Sequence, residues 1–167
     1  MRVLVTFGST LGGTQELARI VADELHAEGF DVDLLPPGWV PTLEGYEAVV
    51  VGGALYANRW HKEARRFVRH HAAELRRVPT YYFSSGPLDD SASEGEIGPV
   101  RSVRTLMALV GARAHATFGG RLAADAGHFP VFVLARKETG DWRDADRVRA
   151  WTREVAGQLV VGRAEAG

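Results

Sequence analysis

The chain has 167 residues, and its 20 Lys and Arg against 21 Asp and Glu leave a formal charge of −1, so no global electrostatic case for nucleic-acid binding exists. With 46% hydrophobic and 25% charged residues the composition is ordinary for a globular protein and excludes disorder, collagen-like repeats and coiled coil. Cysteine is absent, which excludes a disulfide framework, a thiolate nucleophile, haem attachment and Cys-ligated zinc or iron–sulfur clusters. Redox chemistry here requires a bound cofactor. The length fits one domain, residues 1–167. The longest apolar run, Ala48 to Ala57, falls well short of the roughly 20 residues a membrane-spanning helix needs. Met1-Arg2 leads directly into Val3-Leu4-Val5 with no signal-peptide pattern, so a cytoplasmic location is expected.

Arg2 to Phe7 reads as a strand, Gly8 to Gly13 as a Gly/Ser/Thr turn, and Leu17, Ile20, Val21 and Leu25 as the apolar stripe of a helix stopped by Gly29. Phe30 to Leu35 is the second strand, completing a βαβ unit. Glu47 to Val51 is a continuous apolar run suited to a strand buried on both faces. From His61 to Arg77, Ala64, Phe67, Val68, Ala72 and Leu75 follow helical spacing. The outer face is basic: Arg59 to Arg77 holds seven basic and two acidic residues. Thr80 to Ser84 is a fourth strand, Ser85 to Glu96 a polar loop, Val100 to Val110 a helix ending at Gly111, and Arg113 to Phe118 a fifth strand. Phe129 to Lys137 satisfies both a strand and a helix pattern. Asp141 to Val160 closes the chain with a helix whose stripe is Trp142, Val148, Trp151, Val155 and Leu159. The alternation predicts an α/β fold: a three-layer, doubly wound, five-stranded parallel sheet of order 2-1-3-4-5. A ligand in such a sheet sits outside the carboxyl ends of strands one, three and four, at the topological switch point.

At the first of these ends, Gly8-Ser9-Thr10-Leu11-Gly12-Gly13-Thr14 joins a strand to a helix. Backbone N–H groups and the helix N-terminus there make an anion site, with the hydroxyls of Ser9, Thr10 and Thr14 as further donors. Good turn and N-cap chemistry alone accounts for such residues equally well. The Gly8-x4-Gly13-Thr14 spacing resembles a Walker A motif, but Thr14-Gln15 replaces the Lys-Ser/Thr that contacts phosphate and magnesium. G-x-G-x-x-G is absent, and Thr6-Phe7 offers no carboxylates for a metal. A lone phosphate monoester, bound by neutral donors, fits what remains.

Phe7-x-Ser9-x2-Gly12-x-Thr14-x3-Ala18 closely resembles the FMN-phosphate signature of flavodoxins and flavodoxin-domain proteins; Thr6 alone departs from it. Ala48 to Lys62 is similar to the corresponding segment of menaquinone-dependent protoporphyrinogen oxidases and their flavodoxin-domain relatives. The resemblance is strong over residues 3 to 70 and weak beyond 100. It implies FMN as cofactor, with Ser9, Thr10, Leu11, Gly12, Gly13 and Thr14 holding the phosphate. Ala54, Leu55, Tyr56, Ala57 and Asn58 on one side, and Ser84, Ser85, Gly86, Pro87 and Leu88 on the other, would flank the ribityl chain and ring. Gly52-Gly53 and Ser85-Gly86 would admit backbone close to a planar ligand. Tyr56 and Trp60 are candidates to stack on the ring or, equally, to cover a helix start or fill a core edge. No aromatic lies between Ser84 and Ile97, where many flavodoxins place a stacking tyrosine.

Other chemistry finds little support. His70-His71 point apart on a helix, and His26, His61, His115 and His128 lack ligand spacing, so no metal is expected. G-x-S-x-G is absent. Asp89, Asp90, Glu94 and Glu96 read as a solvated acidic loop, and Gly119-Gly120-Arg121 as a turn or a site rim. Three functions remain: an FMN-dependent oxidoreductase acting on a small organic donor and a quinone-like acceptor, a flavodoxin-type electron shuttle, and a non-catalytic binding domain of the same fold. Shuttles of this family are usually strongly acidic, so the near-zero charge favours the enzyme. Expected partners are a small-molecule or quinone substrate and a redox protein, with at most peripheral membrane contact through the basic helix.

Overall fold

In the three central strands apolar side chains point to both faces of the sheet, and that dictates two cores. The computed structural model describes residues 1–10, 12–86, 98–119 and 142–166. Its elements are β1 (Arg2–Gly8), α1 (Gly13–Ala27), β2 (Asp31–Leu35), a short 3-10 turn (Pro37–Trp39), β3 (Ala48–Tyr56), β4 (Arg59–Trp60), α2 (Lys62–His70), α3 (Ala72–Leu75), β5 (Thr80–Ser85), α4 (Arg101–Val110), β6 (Ala114–Phe118) and α5 (Trp142–Ala166). Five strands pair in parallel in the order β2-β1-β3-β5-β6. With β5 and β6 as the fourth and fifth long strands, this is the expected doubly wound order.

Val3 and Val5 of β1, Ala48 and Val50 of β3, and Tyr81 and Phe83 of β5 pack with Leu17, Val21 and Leu25 of α1 and Val148, Val155 and Leu159 of α5. Leu4, Val49, Val51 and Tyr82 point the other way and meet Ala64, Phe67 and Val68 of α2, Leu75 of α3, and Val103, Leu106 and Val110 of α4. One residue of register therefore separates the two cores in β1, β3 and β5. Glu24 of α1 accepts from Arg153 of α5 at 2.6 Å, which ties together the outer surfaces of the first layer.

Three local features depart from the sequence reading. The third strand runs to Tyr56 and does not stop at Val51. Its glycine pair is filled from the sides: a Cβ on Gly52 would collide with the Phe83 ring, and one on Gly53 with the Trp60 indole. β4 was not expected at all; it returns antiparallel on β3 with Leu55 opposite Trp60 and Tyr56 opposite Arg59. The single helix expected from His61 to Arg77 breaks at His71, whose buried ring bonds Glu74 at 2.7 Å. Glu74 in turn accepts from the Leu43 backbone at 2.9 Å. These bonds, that to His71 foremost, hold the Glu74 carboxyl below its ordinary range. The ambiguous segment Phe129 to Lys137 lies outside the described residues, as do the acidic loop residues Asp89, Asp90, Glu94 and Glu96 and the rim residues Gly120 and Arg121.

Candidate functional site

β1, β3 and β5 are adjacent and parallel, so their carboxyl ends place three loops side by side. The loop after β1 turns into α1 at Gly12, whose φ of 83° is the left-handed conformation that glycine adopts without strain. Glycine has no side chain to cap with, and no side-chain hydrogen bond caps α1. The first-turn N–H groups of an α-helix have no partner within the helix. Here that helix start directly follows the loop that carries Ser9 and Thr10. Thr14, one residue into α1, is 1% exposed, and its hydroxyl oxygen has no hydrogen-bond partner. A buried, unpaired hydroxyl costs on the order of 1 kcal/mol or more unless a ligand satisfies it.

The second loop is the turn between β3 and β4. Ala57 and Asn58 both have positive φ, 47° and 58°, so two residues suffice to reverse the chain. Ser102 of α4 donates to the Asn58 carbonyl at 2.7 Å and pins the turn from outside. Tyr56 is 41% exposed, so its ring is available at the rim. Its hydroxyl accepts from the Thr10 backbone N–H at 3.4 Å. The His61 ring lies edge-on to Tyr56, centroids 5.9 Å apart, with Nε2 at 2.9 Å from Thr10 Oγ1. The loop after β1 and the hairpin loop thus meet at one residue, Thr10.

For Trp60 the structure decides between the two readings in favour of the core. Its indole is 1% exposed, covers Gly53, packs at 4.8 Å from the Tyr82 ring and donates from Nε1 to Ser84 Oγ at 2.8 Å. It belongs to the second core and is not free to stack on a ligand. Gly52 and Gly53 are likewise occupied by protein rings, which is why they are glycines.

At the end of β5, Ser84 and Ser85 are buried. The Ser84 hydroxyl is engaged inward, between Trp60 and His115 Nε2, which lies at 2.8 Å, so a ligand would meet its backbone. Gly86 donates to the Phe118 carbonyl at 2.9 Å and fixes the start of the third loop. Leu11, Pro87 and Leu88 lie outside the described residues. Burial pushes the His115 imidazole down to about 4, so this ring is neutral at physiological pH. Burial also raises the Tyr82 phenol.

Sequence reasoning named the loops and missed the two side chains that connect to Ser84 and Thr10. His115 alternates with core residues on β6, and His61 precedes a helix; neither position carries a motif. The signal for His61 was its place immediately before the apolar stripe of α2, where a side-chain acceptor caps the helix. Among the described residues no group of three or more His, Cys, Asp or Glu could hold a metal ion, and no helix is long and apolar enough to cross a membrane. A groove of about 730 Å³ runs along the basic flank of α2, lined by Lys62, Arg65, Arg66 and Arg69 with Glu63 and His70.

Comparison with known proteins agrees with this arrangement. The chain is 30% identical over 86 residues to the protoporphyrinogen IX dehydrogenase [quinone] of Escherichia coli strain K12, covering 50% of this chain and 48% of that protein. It therefore spans about half the length of the curated relatives it matches. A flavodoxin of Pseudomonas aeruginosa, solved as a cysteine-to-serine mutant, superposes with a TM-score of 0.66 at 20% identity, covering 95% of this chain and 99% of that one. A flavodoxin from the domain Archaea gives the same TM-score, 0.66, at 16% identity over 95% and 99%. Together with the match of the flavodoxin domain to residues 4–129, this places the chain in the flavodoxin-domain family, with the flavodoxin-like fold.

Proposed function

We propose that the chain binds FMN and is an oxidoreductase that passes reducing equivalents from a small organic donor to a quinone-like acceptor. The observation that carries the cofactor is the start of α1, where an uncapped helix N-terminus and the orphaned, buried Thr14 hydroxyl adjoin a loop of neutral donors. These groups fit a phosphate monoester. Ser9, Thr10, Leu11, Gly12, Gly13 and Thr14 hold it. Ala54 to Asn58 flank the ring on one side, with Tyr56 at the rim, and Ser84 to Leu88 on the other through backbone groups. Bound flavin supplies the electron and hydride chemistry; the residues of the chain bind it, orient it and limit access of water.

The quinone-like acceptor is supported by the half-length similarity to an enzyme named for quinone. Charge supports the same reading. The chain carries −1 overall, and its α2 layer is basic, whereas a shuttle steered to basic partners calls for an acidic surface. A shuttle is the second reading, because the whole fold superposes on flavodoxins. Peripheral contact of the α2 flank with an anionic lipid surface belongs to the same proposal, and cosedimentation with anionic vesicles at low and moderate salt checks it.

The decisive experiment is a fluorescence-quenching titration of the chain with FMN, followed by anaerobic reduction and mixing with a soluble quinone. Quenching to a stoichiometric endpoint and repeated turnover of quinone are expected. No FMN binding would sink the proposal. Binding with electron exchange only to a protein partner would leave the shuttle.

A further inference from the structure

Two helices begin at the same edge of the sheet, and one histidine joins them. His61 is the N-cap of α2: its side chain accepts from the Glu63 backbone N–H, through Nδ1 at 3.4 Å. A nitrogen that accepts a hydrogen bond carries no proton, so the neutral ring holds its proton on Nε2. Nε2 lies 2.9 Å from Thr10 Oγ1. The direction of that bond follows: Nε2–H donates and the Thr10 oxygen accepts. The hydroxyl proton of Thr10 is then left without a protein acceptor among the described residues, on a residue that is exposed in the phosphate loop.

Resting on the reading of this loop as the FMN phosphate site, we infer that His61 is a positioning residue that fixes Thr10 as a hydrogen-bond donor to the phosphate and so selects phosphorylated flavin over its unphosphorylated form. Each bond in the series points its hydrogen toward the phosphate: Glu63 N–H to His61 Nδ1, His61 Nε2–H to Thr10 Oγ1, and Thr10 O–H into the loop. The positive end of α2 thereby acts on the same anion as the N-terminus of α1, which faces it directly. The backbone of His61 is itself anchored, its N–H donating to the Ala54 carbonyl at 2.8 Å, and Tyr56 closes against the ring edge. Thr10 is also held through its own N–H by Tyr56. The hairpin therefore sets both the position and the polarity of the threonine.

The two functions of the ring can be separated by substitution. In His61→Asn the shorter amide keeps an acceptor near Nδ1 and a sound N-cap but does not reach Thr10. In His61→Gln the longer amide places an N–H near the position of Nε2 and gives up the cap. Apoprotein of the full chain is titrated with FMN and, separately, with riboflavin, with circular dichroism as the check on folding. Expected is a loss of about tenfold in FMN affinity for His61→Asn, the effect of one hydrogen bond to a charged group, with riboflavin affinity unchanged. His61→Gln should recover most of the loss. Thr10→Val should match His61→Asn, and the double variant should be no worse than Thr10→Val alone.

If the wild-type chain binds riboflavin as tightly as FMN, the phosphate reading fails and the inference with it. If the wild type discriminates and His61→Asn does so equally well, the phosphate reading stands and the role of His61 is overturned. Equal losses for both ligands, or a His61→Gln variant as weak as His61→Asn, also overturn it, since either marks a purely structural residue.

Discussion

α1 and α2 start within reach of the same loop and are finished in opposite ways. α2 is closed: His61 caps it, Glu63 lies in its first turn, and Ala64 seats against Gly8, where a Cβ would come within 2.6 Å of the Ala64 backbone nitrogen. α1 is left open: Gly12 offers no cap, and the buried hydroxyl of Thr14 has no partner. A side-chain cap is present at α2 and absent at α1, where Gly12 costs only a few tenths of a kcal/mol relative to a capping residue, so the first-turn N–H groups of α1 have no side-chain partner from the N-cap. The open end is where the proposed phosphate site lies; the closed end is fixed by protein contacts alone.

Breaking the closed end should have the largest effect. Gly8→Val forces β1 and α2 apart and should destabilise the chain by on the order of 3 kcal/mol, measured by urea denaturation. Unchanged stability would mean that the close contact of Ala64 with Gly8 does not exist in solution.

A second orphaned atom provides a contrast to Thr14. His115 Nδ1 is buried and unpaired, but it lies on β6 and not at a helix start. The folded ring takes up a proton only near pH 4, whereas the unfolded chain does so near pH 6.5. The stability contributed by the neutral ring is therefore present above pH 6.5 and is lost progressively as the pH falls toward 4. At pH 5 the loss amounts to about 2 kcal/mol relative to neutral pH. Denaturation at pH 7 and pH 5 should show a fall smaller by that amount in His115→Gln, and an identical fall would refute the burial of a neutral ring.

Thr14→Val tests the open end alone. FMN affinity should drop about tenfold, near 1.4 kcal/mol, while apoprotein stability stays level or rises slightly, because an unpaired hydroxyl has been replaced by a methyl group. A stability loss with intact FMN affinity would make Thr14 a structural residue. The smallest effect should come from His61→Ala, which removes the α2 cap at a cost of about 1 kcal/mol in stability, read by thermal melting of the apoprotein. Thr14→Val should show no such cost.

The central strands were legible because β1, β3 and β5 are buried nearly throughout, and an uninterrupted run such as Val49-Val50-Val51 has few other structures open to it. Gly111, left-handed with φ 70°, ends α4 where the sequence places the stop. The hairpin was not legible. Its turn uses Ala57 at a positive φ, with no Asn-Gly or Asp-Gly pair to announce it. The glycines of β3 invited a ligand reading because a missing Cβ looks the same in sequence whether cofactor or protein fills the space. Phe83 and Trp60 fill it, and only long-range packing reveals that. Likewise, Ser84 reads as a polar group at a strand end, but its hydroxyl is spoken for by Trp60 and His115, residues 24 and 31 positions away.

The two-residue turn at Ala57-Asn58 has a kinetic consequence. A longer connection would have to order itself around each incoming ligand, at about 1 to 2 kcal/mol for every backbone residue immobilised. Here the reversal is already complete, stitched to α4 through Ser102 and to β3 through His61. Ligand association on this side of the sheet should therefore proceed in a single phase that scales with ligand concentration, with no slow conformational step limiting it.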